Sequence, residues 1–264
     1  MKQRELISRA RTPDGTELTL EKDGNDFFIC AEGHCLMAST MHGSEEALSS
    51  FGCVRARELE APVALVGGLG LGFTLRAALD ALPPGATVVV AELLEAVVEW
   101  NRGPLGHLAG HPLADPRTEV VTGDIGELLA CSPGRFDAIL MDVDNGPVAF
   151  TQDRNAGLYG DEGLAIARAA LRPGGALAVW SAWDDRKFEH RIKHAGFLVE
   201  SRLVRARLGK GGPNHTIFLG FLDDGSGVIP QQAPRPGEGQ EGRGRSRRTG
   251  PGNIHAPPGP KAPK

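Results

Sequence analysis

Asp142 and Asp144 stand two residues apart where an apolar run ends, in FDAILMDVDNGP (136–147). A buried strand does not end in carboxylates without a reason. Along a strand, residues i and i+2 point to the same side, about 6.6–7 Å apart. If the strand persists through Asp144, both acids face one cavity. If it ends at Asp142, the turn through Asn145-Gly146 sets where Asp144 points. Carboxylates in that place bind a cation and accept a proton from it. The plainer alternative is that Asp142 caps a turn and Asp144 is a solvated loop acid.

Three other strand ends carry chemistry of their own. PVALVGG runs into GGLGLG (67–72), which opens a helix. Gly67, Gly68, Gly70 and Gly72 let the backbone turn tightly and approach a ligand closely. Glu92 closes ATVVVAEL, 20 residues after Gly72. A carboxylate there accepts both hydroxyls of a ribose. Asp124 ends RTEVVTGD and could accept an adenine amino group. Each feature alone reads as packing or an exposed loop acid. In this order and spacing they point to a bound nucleoside. The loop reads GGxGxG rather than the GxGxxG of NAD sites. An S-adenosyl-type nucleoside is therefore expected, with a dinucleotide left open.

The elements that hold these residues follow from hydrophobic periodicity. From residue 62, continuous apolar strands alternate with helices, which predicts a parallel sheet covered on both faces. Five β/α units are expected, the fourth helix spanning 155–175 with a Pro-Gly-Gly stop. LVESRLVRA and HTIFLGFL then form a closing antiparallel hairpin. The fold class is α/β: a Rossmann-like, seven-stranded methyltransferase-type sheet. Before it, TELTLE (16–21) and DFFICA (26–31) alternate between Asp14-Gly15 and Asp23-Gly24, the composition of hairpin turns. A small N-terminal antiparallel β unit over 1–40 is expected. Ser44 reads as the cap of a helix that places Ala47, Leu48 and Phe51 on one face.

The expected organisation is this hairpin unit, a nucleoside-binding domain over 41–223, and a disordered tail over 224–264. The tail holds 17 Gly plus Pro and little to bury. It carries a net charge of +4, GRGRSRR (242–248) included, leaving −8 on residues 1–223. An acidic globular part does not suit a nucleic-acid backbone and is compatible with a cationic small substrate. No apolar run approaches the roughly 18–20 residues of a membrane span. The polar start MKQRELISRARTPDG is no secretory signal, so a cytoplasmic protein is expected. Cys30, Cys35, Cys53 and Cys131 form no CxxC or zinc spacing, and Cys30 and Cys35 read as packed thiols. His34, His107 and His111 are scattered, and His190 and His194 read as a helix surface, so no metal is expected. Trp180 reads as core, whereas Trp183-Asp184-Asp185 follows the fifth strand, where an aromatic beside acids suits a cation.

GGLGLGFTLRAAL, AEL, GD and DVDNGP with NAGLY resemble the spermidine synthase (polyamine aminopropyltransferase) family and its bacterial spermidine-synthase-like relatives. LMASTMHGSEEAL (36–48) is similar to that family's joint between hairpin unit and nucleotide-binding domain. The resemblance spans roughly 15–222. It implies transfer of an aminopropyl group from decarboxylated S-adenosylmethionine to a small di- or polyamine, releasing methylthioadenosine. It implies ribose binding by Glu92, adenine reading by Asp124 and the backbone of Ile125, and catalysis at Asp142 and Asp144. It places His42, Glu45 or Glu46, and Tyr159 near the substrate, and it implies a homodimer.

Two departures stand out. The family's glycine loop carries an Asp facing the donor's amine end, and here Gly70 takes that place. The family's catalytic aspartates are three apart, and here they are two apart. The first departure weakens selection for the decarboxylated donor. It keeps a methyltransferase using intact S-adenosylmethionine in view, beside a non-catalytic nucleoside- or polyamine-binding protein.

Overall fold

The computed structural model describes residues 4–13, 15–143, 157–207, 211–226 and 228. Four short strands open the chain: β1 (Glu5–Arg11), β2 (Glu17–Asp23), β3 (Asp26–Ala31) and β4 (His34–Ala38). They pair antiparallel in the order β1-β2-β3-β4. The β2–β3 turn rests on Gly24 at φ 62°, and the β3–β4 turn on Glu32 and Gly33 at φ 47° and 79°. These are the positive-φ positions that two-residue hairpins require. Cys30 and Cys35 sit opposite each other across β3 and β4 as free thiols; Cys30 is buried as expected, whereas Cys35, on the edge strand, is exposed rather than packed.

Helix α1 (Gly43–Gly52) leads into the large sheet. Its strands are β5 (Val63–Gly67), β6 (Thr87–Glu92), β7 (Thr118–Thr122), β8 (Phe136–Met141), β9 (Leu171–Ser181), β10 (Leu198–Arg207) and β11 (Gly211–Phe221). Between them run α2 (Phe73–Ala81), α3 (Glu95–Arg102), α4 (Ile125–Ala130), α5 (Asp161–Ala170) and α6 (Arg186–His194). The order is β10-β11-β9-β8-β5-β6-β7. Strands β5 to β9 pair parallel, and β11 and β10 close the sheet antiparallel. This is the seven-stranded sheet expected above.

Side-chain alternation divides the interior into two cores. Val66, Val90, Leu140 and Ile217 pack with Leu48 of α1 and Leu75 of α2. Leu65, Val89, Ile139 and Phe218 pack on the other face with Leu129 of α4, Leu164 of α5 and Phe188 of α6. Every residue of β8 is buried, so period-two alternation of polar and apolar residues is absent there. Helix α1 lies across β8, β9, β10 and β11. It sits so close that a Cβ on Gly52 would overlap Leu140 and stand 2.9 Å from the Ala178 Cβ.

Two local expectations change. The fourth helix is shorter than 155–175: α5 covers Asp161–Ala170, and β9 begins at Leu171. Pro173-Gly174-Gly175 is an irregularity inside β9, where pairing jumps from Phe136–Leu171 to Ala138–Ala176. Gly174 at φ 78° lets the strand absorb the extra residues as a bulge. Ser44 does not cap α1. His42 holds the N-cap position, and Ser44 is buried inside the first turn. Among the described residues, no helix is long and apolar enough to cross a membrane.

Candidate functional site

In an open parallel sheet, ligands meet the carboxyl ends of the strands where strand order reverses. Here that point lies between β5 and β8, whose carboxyl ends carry the glycine loop and Asp142. Gly68 sits at φ 87°, and a Cβ there would overlap the Asp142 carbonyl. Only glycine lets the two chains run this close. The Asp142 amide donates to the Gly67 carbonyl at 2.8 Å, a second tie between the strand ends. Gly72, at φ 85°, is the N-cap of α2.

Glu92 is the last residue of β6 and is 9% exposed. One carboxylate oxygen accepts the Leu69 N–H at 2.9 Å, the other the Leu94 N–H at 2.9 Å. Burial pushes its pKa up, and these amides pull against the shift. Asn101 of α3 donates to the Gly70 carbonyl at 2.9 Å. The glycine loop is thus held from β6 and from α3. Asp124 caps α4, accepting the Glu127 N–H at 3.1 Å, and Ile125 is buried behind it.

Strand β8 stops at Met141, so Asp142 lies just past the strand. Asp144, with Asn145-Gly146-Pro147, lies outside the described residues. Thr74, in the first turn of α2, donates its hydroxyl to Asp142. Burial raises the Asp142 carboxyl to about 6 against that bond. Glu45 reaches the same neighbourhood from α1. Its carboxyl is raised to about 8, first by burial and then by the charge on Asp142, with the Ser44 hydroxyl opposing. The two acids thus resist carrying full charge together near neutral pH.

The other expected residues are placed as follows. His42 stacks on Phe73, with ring centroids 4.3 Å apart, and meets Glu46 at 2.7 Å. Tyr159 is buried before the Gly160 N-cap of α5, its hydroxyl donating to the Val143 carbonyl at 3.1 Å and its ring edge-on to Phe188. It holds Val143, the neighbour of Asp142. Trp183 is 45% exposed, and Asp184 beside it is exposed. Asp185 caps α6, accepting from Lys187 and Phe188.

Thr74, Asn101 and Met37 were not singled out from the sequence. The Met37 sulfur would stand 2.9 Å from a Cβ on Gly70, so the small N-terminal sheet reaches the glycine loop. Of these only Thr74 had a signal, a hydroxyl in the first turn after a ligand loop. A separate cavity of about 460 Å³, lined by Arg55, Asp137 and Pro173–Gly175, opens at the amino end of β8. Among the described residues no cluster of His, Cys, Asp and Glu could hold a metal ion.

A seven-stranded Rossmann-like sheet with a closing antiparallel hairpin and a small four-stranded antiparallel sheet before it defines the spermidine synthase fold of the methyltransferase-like class. Solved structures bear this out. The chain is similar to spermidine synthase from Thermotoga maritima, with TM-score 0.64 and 18% identity over 86% of this chain and 76% of that one. It is similar to a spermidine synthase in complex with the transition-state analogue AdoDATO, with TM-score 0.62 and 17% identity over 86% and 76%. It is similar to a probable spermidine synthase from Corynebacterium glutamicum, with TM-score 0.56 and 15% identity over 84% and 81%. At these identities the likeness is one of fold. No protein-family model and no curated protein matches the chain.

Proposed function

We propose that the protein is an S-adenosyl-type alkyl transferase that moves an aminopropyl group from decarboxylated S-adenosylmethionine to a small di- or polyamine. The observation that carries this reading is the pair Asp142 and Glu45, two partly desolvated carboxyls beside a glycine loop clamped by Glu92. Two acids there suit a cationic amine acceptor. The AdoDATO complex of a structural neighbour supports the choice of donor.

The reaction is a displacement at carbon next to a sulfonium, which leaves without help from an acid or a metal. The difficulty lies with the nucleophile. An alkylammonium with a pKa near 10 must lose a proton before it attacks, at a cost of about 4 kcal/mol at pH 7. At that pH, before the amine binds, Asp142, raised to about 6, is charged and available as the base, while Glu45, raised to about 8, holds its proton. Thr74 fixes the Asp142 carboxylate, which orients the amine as well as deprotonating it. Asp144 shares this role. Glu92 holds the ribose through lone pairs left free by the Leu69 and Leu94 amides. Asp124 and the Ile125 backbone read the adenine. Gly67, Gly68, Gly70 and Gly72 admit the donor's alkyl chain. His42, Glu45, Tyr159, Trp183 and Asp184 complete the acceptor side, directly or, for Tyr159, through Val143, which its hydroxyl holds beside Asp142. The enzyme works as a cytoplasmic homodimer without metal, membrane or nucleic acid.

A methyltransferase reading on the same fold is favoured by one observation: Gly70 offers no carboxylate to a cationic donor tail, and Met37 covers it instead. Incubation with putrescine and each donor separates the two. Methylthioadenosine is the expected product; S-adenosylhomocysteine would favour the second reading. Neither product over a panel of amines would overturn both, leaving a nucleoside- or polyamine-binding protein.

A further inference from the structure

Ser44 is completely buried in the first turn of α1, with its hydroxyl between two titratable groups. Its Oγ lies 2.7 Å from Glu45 Oε2 and 2.8 Å from Nδ1 of His215 on β11. A hydroxyl donates one proton and accepts others, so the three groups connect in two ways. With Glu45 protonated, its O–H donates to Ser44, and Ser44 donates to His215 Nδ1. With Glu45 ionised, Ser44 donates to the carboxylate and the His215 Nδ1–H donates to Ser44. With His215 as imidazolium in the second, the two arrangements hold the same protons and differ only in where they sit, with no heavy-atom movement.

The surroundings set which one holds in the free protein. The His215 ring is half-buried, edge-on to Trp180 of β9 at 4.6 Å, and burial disfavours its charged form. Glu45 is faced by Asp142 from the end of β8 and by Glu46 on its own helix, both of which favour its neutral form. The proton therefore rests on Glu45. A cation placed against Glu45 and Asp142 reverses that preference, because opposite charge stabilises the ionised carboxyl.

We infer that Ser44 passes the Glu45 proton to His215 when a cationic amine docks, so that the amine meets two carboxylates, and that the proton returns when the amine leaves. This rests on the amine-acceptor part of the reading above. The Glu45 O–H bond breaks as a Ser44 O–H forms, and the former Ser44 proton joins Nδ1. Total charge is unchanged: one negative charge appears at Glu45 and one positive charge at His215. His215 acts through Ser44 and Glu45, so it is a positioning residue that sets the charge of the acceptor face.

The test uses the full chain labelled with ¹⁵N-histidine, at pH 7, with putrescine as the probe. His215 is expected as the neutral Nε2–H tautomer alone and as imidazolium once putrescine is bound. Ser44→Ala should abolish that change and weaken putrescine binding about tenfold, the scale of one desolvated charge pair. His215→Asn gives a second readout by calorimetry in buffers of different ionisation enthalpy. The wild type should release no proton to buffer on binding putrescine. The variant should either release about one, having no internal acceptor, or bind about tenfold more weakly with Glu45 still protonated. A neutral His215 in the putrescine complex, imidazolium formation in Ser44→Ala, or no putrescine binding at all would each overturn the relay. The first two leave aminopropyl transfer intact, because methylthioadenosine release is scored separately.

Discussion

The Glu92 carboxylate, at the end of β6, accepts the Leu69 N–H of the glycine loop at 2.9 Å. Its second oxygen holds Leu94, so one buried side chain fixes both the loop after β5 and the entry to α3. Glu92→Gln presents an NH2 to one of those amides and leaves it without an acceptor. A loss of about 1–3 kcal/mol in stability is expected, together with weaker nucleoside binding. Thermal denaturation and titration with methylthioadenosine check both.

Gly68→Ala should be more damaging than its size suggests. The residue sits at φ 87°, and the new methyl would overlap the Asp142 carbonyl. Strain and displacement together should cost about 2–4 kcal/mol. Denaturant unfolding measures this, and a neutral result would mean that the chain after β8 is free to move away.

Asp142→Asn and Asp144→Asn should each lower turnover by at least about 100-fold, the usual worth of a positioned base. Methylthioadenosine affinity should stay nearly unchanged. In Asp142→Asn the Thr74 hydroxyl still has an oxygen to bond, so the fold should hold. Loss of nucleoside binding instead would place these acids on the donor side.

Stability should fall as pH rises. Folding lifts the carboxyl of Glu45 from 4.5 to about 8 and that of Asp142 from 3.8 to about 6. Both bind their protons more tightly folded than unfolded. Their contribution is full below the lower values and is lost as pH passes about 6 for Asp142 and about 8 for Glu45. The melting temperature should therefore decline between about pH 4 and 8, and Glu45→Gln should flatten the decline. An equal slope in the variant would mean that Glu45 ionises freely.

Gly70→Asp, made together with Met37→Ala to clear the space beside it, should shift donor preference toward decarboxylated S-adenosylmethionine. The expected change is about tenfold in relative kcat/KM, the scale of one charge pair. Gly70 sits at φ 49°, a conformation Asp tolerates better than most residues. Competition between the two donors reads the shift directly.

The ends of β5, β6 and β7 could be read from the sequence because each couples a local pattern to a local consequence. An apolar run stops, and a glycine loop or a carboxylate follows. The closing hairpin was legible for the same reason. The start of β9 was not. A Pro-Gly-Gly after a helical pattern ordinarily marks a stop, and here it became a bulge because pairing with β8 had already begun at Leu171. Ser44 was misread as a cap, since local chemistry favours that use and only its distant partner, His215, explains its burial.

The sequence by itself determined the alternation of strands and helices, and with it the sheet and the line of strand ends where a ligand would sit. Those follow from periodicity and turn chemistry, which act within about 20 residues. Only the tertiary structure decided that α1 lies across the sheet with its first turn beside the end of β8. That packing brings Glu45 to Asp142 and Ser44 to His215, residues far apart in the chain. Their charges are set by the shared burial and mutual repulsion that the packing imposes, and no local pattern encodes either.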